Sequence, residues 1–302
     1  AYFVPPSGTT EQRGRGRGLF GGSSSTPSIR EITIDFIEIS TQGNAIDFGD
    51  LTDQREKLAG AGGAIRGLFA GGDVSPTTNI IDFVTIASTG NASDFGDTTN
   101  TRQDIGGAAN TTRAIFFAGG GSNIIDYVTI ASLGDAQDFG DLTGGTDNAC
   151  GCGSPTRGII FGSMNGSTDI EYITWATTGN SQDFGEQSIS GENRMACSDS
   201  TRGIVAGGYS SPNYQNIIEF ITIASLGNSQ DFGDLTEIRF EPQGATSNSI
   251  RGVFAGGEGP GDNTNTIDYV TIQSTGNAQD FGDMTLRRRL GSACSDSHGG
   301  IS

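Results

Sequence analysis

The chain is 302 residues long, with 49 glycines, 33% hydrophobic residues and a formal charge of −18 at pH 7. Such acidity repels a polyanion and argues against nucleic acid as a partner, and no stretch reaches the roughly 20 apolar residues needed to cross a bilayer as a helix. A single histidine, His298, leaves little material for a histidine metal centre or a Ser-His-Asp arrangement.

Residues 1–16 read as a short docking arm, because Pro5-Pro6 and the Arg-Gly run from Arg13 discourage a packed element. Its start, Ala1-Tyr2-Phe3-Val4, lacks the basic flank and apolar core of a secretory signal. Ala1 is what trimming of an initiator methionine leaves, which fits synthesis in a cytoplasm followed by assembly into a particle. A processed secretory precursor would end the same way.

From Arg17 onward one unit recurs six times, over about 17–65, 66–112, 113–156, 157–201, 202–250 and 251–302, and residues 17–302 read as a single domain. Its clearest mark is a carboxylate-aromatic-glycine triplet, with Phe48, Phe95, Phe139, Phe184, Phe232 and Phe281 at its centre. A period of roughly 47 residues is the range of propellers and other repeat arrays. In the sixth copy Arg251-Gly252-Val253-Phe254-Ala255-Gly256-Gly257 precedes a variable loop, then Thr266-Ile267-Asp268-Tyr269-Val270-Thr271-Ile272. Gln279-Asp280-Phe281-Gly282-Asp283 follows, and a small-residue stretch, Gly291-Ser292-Ala293-Cys294-Ser295, reads as a strand too tight for large side chains. Four short strands per unit predict one small antiparallel sheet.

Such a sheet cannot fold alone, since each ordered residue costs about 1 to 2 kcal/mol of backbone entropy. In Ile80-Ile81-Asp82-Phe83-Val84-Thr85-Ile86 the apolar residues occupy both alternation phases, as a sheet covered on both sides requires. The first copy opens at its second strand, Arg17-Gly18-Leu19-Phe20-Gly21-Gly22, while the last runs on into Leu290-Gly291-Ser292-Ala293-Cys294-Ser295. The tail thus supplies the strand that the head lacks. The prediction is an all-β, six-bladed β-propeller of four-stranded antiparallel blades, closed by N- and C-terminal strands sharing one blade.

The hydrophobic-Gly-Gly ending of the second strand and a threonine with an arginine three residues on resemble kelch repeats. The double glycine stands at Gly71-Gly72, Gly119-Gly120, Gly207-Gly208 and Gly256-Gly257, and the Thr-to-Arg spacing at Thr52/Arg55, Thr99/Arg102, Thr236/Arg239 and Thr285/Arg288. Blade four departs with Gly162-Ser163, the arginine is missing after Thr143 and Ser188, and phenylalanine replaces the usual tryptophan. The wording Ile-Asp-Tyr-Val-Thr-Ile-Ala-Ser and Gly-Asn-Ala-Gln-Asp-Phe-Gly-Asp is also similar to kelch-like repeats in structural proteins of tailed phages, notably those of marine cyanobacteria. The resemblance covers roughly residues 17–298. It implies a virion or extracellular particle surface, reached after synthesis in the host cytoplasm.

Chemistry is sparse. Cys150, Cys152, Cys197 and Cys294 lie in or beside the small-residue strands and read as buried free thiols. His298 sits at the frayed end of the last copy. The blade arginines Arg17, Arg66, Arg113, Arg157, Arg202 and Arg251 are the kind of set a sialidase gathers, but equivalent positions on every blade argue for repeated structure. Arg13, Arg15 and Arg17 and the run Arg287-Arg288-Arg289 read as solvated or carboxylate-paired groups rather than a phosphate site. Asp47, Asp94, Asp138, Asp183, Asp231 and Asp280 are expected to accept turn N–H bonds, with the adjoining phenylalanines between blades and the glycines at positive φ. No cofactor is expected; calcium on paired carboxylates such as Asp280 and Asp283 is the alternative.

What varies between copies points to partners. The loop after the double glycine is minimal at Gly121-Ser122, carries Tyr209 and Tyr214 in blade five, and is long and acidic from Glu258 to Asn265 in blade six. A rigid scaffold with variable loops suits recognition, so Tyr209, Tyr214, Glu258 and Asp262 are the candidate interaction residues. The expected function is a non-enzymatic structural or adhesive propeller docking neighbouring virion proteins or a host surface. The alternative is a carbohydrate-binding or glycan-cleaving propeller with its ligand on the loop face.

Overall fold

The small-residue strand that ends each copy pairs forward, into the sheet that follows. The computed structural model describes residues 16–26, 29–162 and 167–301; these contain strands and no helix. The predicted arm over 1–16, apart from Gly16, lies outside the described residues.

The first blade takes β1 (Arg17–Thr26), β2 (Ile29–Glu38) and β3 (Ile46–Asp50) from the head of the chain. The second is β4 (Ala59–Gly62), β5 (Arg66–Ala70), β6 (Ile80–Thr85) and β7 (Ser93–Asp97). The third is β8 (Gly106–Ala109), β9 (Arg113–Phe117), β10 (Ile124–Thr129) and β11 (Gln137–Asp141). The fourth is β12 (Cys150–Gly153), β13 (Arg157–Phe161), β14 (Asp169–Thr174) and β15 (Gln182–Glu186). The fifth is β16 (Met195–Ser198), β17 (Arg202–Ala206), β19 (Asn213–Thr222) and β20 (Gln230–Arg239), with a two-residue β18 (Tyr209–Ser210) on the outer end of β19. The sixth is β21 (Gly244–Ser247), β22 (Arg251–Glu258), β23 (Asn263–Thr271) and β24 (Gln279–Asp283). The last strand, β25 (Ser292–Ser295), returns to β1 with Leu19 opposite Cys294, completing the first blade as β25-β1-β2-β3. Asp296 Oδ1 fixes the seam by accepting the Gly16 and Arg17 N–H groups at 2.9 Å.

The innermost strands touch their neighbours in cyclic order, β4, β8, β12, β16, β21, β25 and back to β4, so the chain is a closed six-bladed β-propeller. Their small residues follow from crowding at the axis: a Cβ on Gly60 would lie 2.4 Å from the Ala293 carbonyl oxygen. The core divides into six clusters, one per blade interface; between blades two and three Leu68, Ile81 and Phe95 meet Ile105, Phe116 and Val128.

In the aromatic triplet the phenylalanines lie between blades and the glycines take positive φ as expected, but the aspartates have a different role from the expected one. In each outer strand the phenylalanine is the extra residue of a β-bulge: Asp82 faces Asp94 and Ile81 faces Gly96, leaving Phe95 between them. Phe95 is driven inward, its edge against Phe83 at 6.0 Å between centroids. The triplet aspartates therefore stand exposed on the outermost strands, and none of their carboxylates holds a turn. That work falls to the next blade: Asn91 Oδ1 accepts the Asp50 N–H at 3.1 Å, while Gly90 and Ala92 donate to the Phe48 and Asp50 carbonyls. Gly49, at φ 147°, must lack a Cβ, which would meet the Gly90 carbonyl oxygen at 2.5 Å.

Candidate recognition face

Five interfaces carry the same buried cluster. Between blades one and two, Thr52 donates its N–H and hydroxyl to Asp82, and Arg55 donates to Asp82 at 2.8 Å and to the Phe69 carbonyl at 3.1 Å. Arg55 and Asp82 are both fully buried. Arg102–Asp126, Arg194–Glu219, Arg239–Asp268 and Arg288–Asp35 repeat the pair around the ring. Burial pushes the Arg55, Arg102 and Arg288 guanidiniums down from their ordinary value, and the facing carboxylate pulls each back. Burial also works on Glu219, but Arg194 and the donors Ser188 and Ser229 outweigh it and hold the carboxyl below its usual range.

The second arginine set is equally structural. Arg17, Arg66, Arg113, Arg157, Arg202 and Arg251 each lie over an aromatic ring of their own blade, at 4.2 to 4.9 Å from its centroid. Each also donates to a main-chain carbonyl of the next blade, as Arg66 does to Ile130 at 2.8 Å. They are distributed one per interface and form no cluster.

Where the Thr-to-Arg spacing fails, the structure divides two ways. Arg194, one residue before β16, replaces the arginine missing after Ser188; the Gly191 Cβ position lies 2.6 Å from its side chain. After Thr143 no arginine takes its place among the described residues. Glu171, 8% exposed, instead accepts the Thr143 hydroxyl at 2.5 Å and the Ser181 hydroxyl. The sequence marks both sites, since glutamate replaces aspartate in Ile170-Glu171-Tyr172 and Ile218-Glu219-Phe220.

The loops after the second strand and those entering the innermost strands stand together on one face, joined by bridges such as Glu56 to Asp73 and Phe240 to Glu258. Here Tyr209, Tyr214 and Phe240 form a three-ring cluster, with Tyr214 stacked on Phe240 at 5.4 Å. The Tyr214 hydroxyl donates to Glu258 at 3.0 Å, and Arg289 ties Glu258 to Glu241. Three of the four candidate loop residues are thus brought together. Asp262 stands apart with the exposed Arg287. Phe240 escaped notice in the sequence because it follows the last residue of an extended β20 rather than a double glycine.

On the same face a cavity of about 130 Å³ opens at the axis, lined by the innermost strands. Five of its lining residues are left-handed, Lys57, Asp104, Asn148, Asn193 and Leu290, at φ 51° to 61°, and the sixth blade's equivalent, Glu241 at φ 47°, adjoins the lining residue Pro242. The opposite mouth is filled by the C-terminal turn. His298 is wedged there rather than frayed: Nδ1 accepts the Gly300 N–H at 3.1 Å, so Nε2–H donates to the Gly62 carbonyl at 2.6 Å. Burial lowers its pKa.

The cysteines are free thiols; Cys152, Cys197 and Cys294 are buried, pointing their sulfurs at Gly203, Gly252 and Gly67 of the following blade. Burial raises Cys150, Cys152 and Cys294 to about 12 and Cys197 well above its ordinary value. Asp280 and Asp283 are exposed on β24, and among the described residues no group of three or more His, Cys, Asp or Glu is placed to hold a metal ion. No protein-family model matches the chain, and a search of curated proteins finds no match.

Proposed function

We propose that this protein is a non-enzymatic, kelch-type docking propeller whose variable-loop face binds a protein partner, as a structural or adhesive component of a phage virion or tail. The carrying observation is where the repeat is broken. The repeated arginines and buried carboxylates are engaged in holding blades together, whereas the unrepeated aromatic and charged groups gather on one face. A half-buried aromatic cluster beside an ion-paired rim is the usual composition of an interaction hot spot. The phage setting rests on the likeness of the repeat wording to phage structural proteins.

The test is to locate the protein in its native particle by imaging and cross-linking, then to measure rebinding of Tyr214→Ala and Glu258→Ala. A loss of about tenfold or more is expected for a hot-spot tyrosine. A protein absent from particles, or variants that rebind like wild type, would overturn the reading. The three-ring cluster also suits stacking against a sugar ring. Glycan-array binding that Tyr209→Ala and Tyr214→Ala both abolish, without particle association, would favour that second reading.

A further inference from the structure

Six interfaces built on one plan act as mutual controls, and one of them lacks a part. Between blades one and two, Arg55 reaches Asp82 and the main-chain carbonyls of Phe69 and Ile80. Between blades three and four the counterpart of Arg55 is Thr146, and the counterparts of Phe69, Ile80 and Asp82 are Ile160, Asp169 and Glu171. All three line a cavity of about 240 Å³ under the Thr143-Gly144-Gly145-Thr146 loop. Its floor is the buried Glu171, which has hydroxyl and amide donors but no ion-pair partner among the described residues. The rim, with Gly144, Gly145 and Asp169, is exposed to solvent on the recognition face.

We infer that this cavity is a receptor site for a guanidinium group, supplied by an arginine side chain of the docking partner. The five sibling interfaces show what such a site holds: a guanidinium that meets a carboxylate oxygen and main-chain carbonyls of the same blade, one at the position of Phe69 or two residues beyond it and, in four of the five, one at the position of Ile80. A buried carboxylate without a counter-charge is costly, so a cation that fits recovers more there than on an open surface. Two glycines in place of Asp53 and Gln54 remove side-chain bulk from the Thr143–Thr146 edge of the opening. The identity of the carrier rests on the docking function proposed above; the cavity's preference for guanidinium does not.

The experiment titrates methylguanidinium chloride into the whole protein at constant ionic strength, following backbone amide shifts. One saturable site centred on Thr143 and Gly145 is expected, with methylammonium weaker by about tenfold because it cannot make the bidentate contact. Glu171→Gln is expected to abolish binding. Thr146→Arg, which restores the sibling arrangement, is expected to fill the site, abolish binding and raise the Tm. Non-saturating shifts, or equal binding by Thr146→Arg, would overturn the site even if particle docking holds. Nα-acetyl-arginine amide should bind as methylguanidinium does; its exclusion while methylguanidinium binds would overturn the partner-arginine assignment.

Discussion

Replacing Arg55 with methionine isolates what the repeated ion pair contributes. Methionine keeps most of the side-chain length, so the loss is electrostatic rather than a cavity. It removes the donors to Asp82 at 2.8 Å, Phe69 at 3.1 Å and Ile80 at 3.4 Å, and leaves Asp82 fully buried with Thr52 as its remaining hydrogen-bond donor among the described residues. Breaking one half of a buried pair costs about 3 to 5 kcal/mol. At about 2 °C per kcal/mol for a chain of this size, the Tm should fall by about 6 to 10 °C. Urea unfolding followed by circular dichroism gives the free energy. The double variant Arg55→Met, Asp82→Leu removes both charges, and should recover about half or more of the loss because no orphan carboxylate remains. An Arg55→Met protein within about 1 kcal/mol of wild type would refute the reasoning, since that is the range of an exposed pair.

Gly233→Ala should destabilise by about 1 to 3 kcal/mol or more, read by the same denaturation, because φ is 147° and the new Cβ would meet the Gly276 carbonyl oxygen at 2.5 Å. Cys152, Cys197 and Cys294 should resist iodoacetamide at pH 8 in the folded protein and react fully in denaturant, since burial keeps the thiolate form scarce. Because burial lowers the folded pKa of His298, the released tail binds a proton more readily. Its contribution should be complete above about pH 6.5 and decline as the pH falls from there. A stability gap between wild type and His298→Ala that stays flat across that window would contradict this. Truncation after Thr285 removes β25 and Arg288 together, and should abolish cooperative melting at the full-length temperature.

The fold was legible because period, glycine breaks and the offset between head and tail all bear on the same closure. Leu19 opposite Cys294 is that offset realised. The charge clusters were half legible. Thr52 with Arg55 announces a recurring unit, but nothing in local spacing shows that Asp82, buried in the middle of an apolar strand, is its partner. Arg194 was hidden because it reaches the same carboxylate position from three residues further along the chain, across Gly191. The triplet aspartates were misread since Asp-Phe-Gly taken alone looks like a turn, whereas the bulge that orients Phe95 exists only in pairing with β6. The axial plug follows no repeat, so no pattern could announce His298 against Gly62.

Ring closure also decides how the irregular positions can act together. An open stack would let blades three and six drift apart, but a closed ring fixes the Glu171 cavity and the Tyr214–Phe240 cluster on one rigid face, two interfaces apart. A partner broad enough to touch both would gain orientation as well as area, because only one azimuth about the axis seats an arginine and an aromatic contact at once. Sixfold pseudo-symmetry would otherwise leave six equivalent ways to dock. If a partner arginine occupies the proposed site, the missing arginine would mark one interface by subtraction, while the other five keep the disc intact.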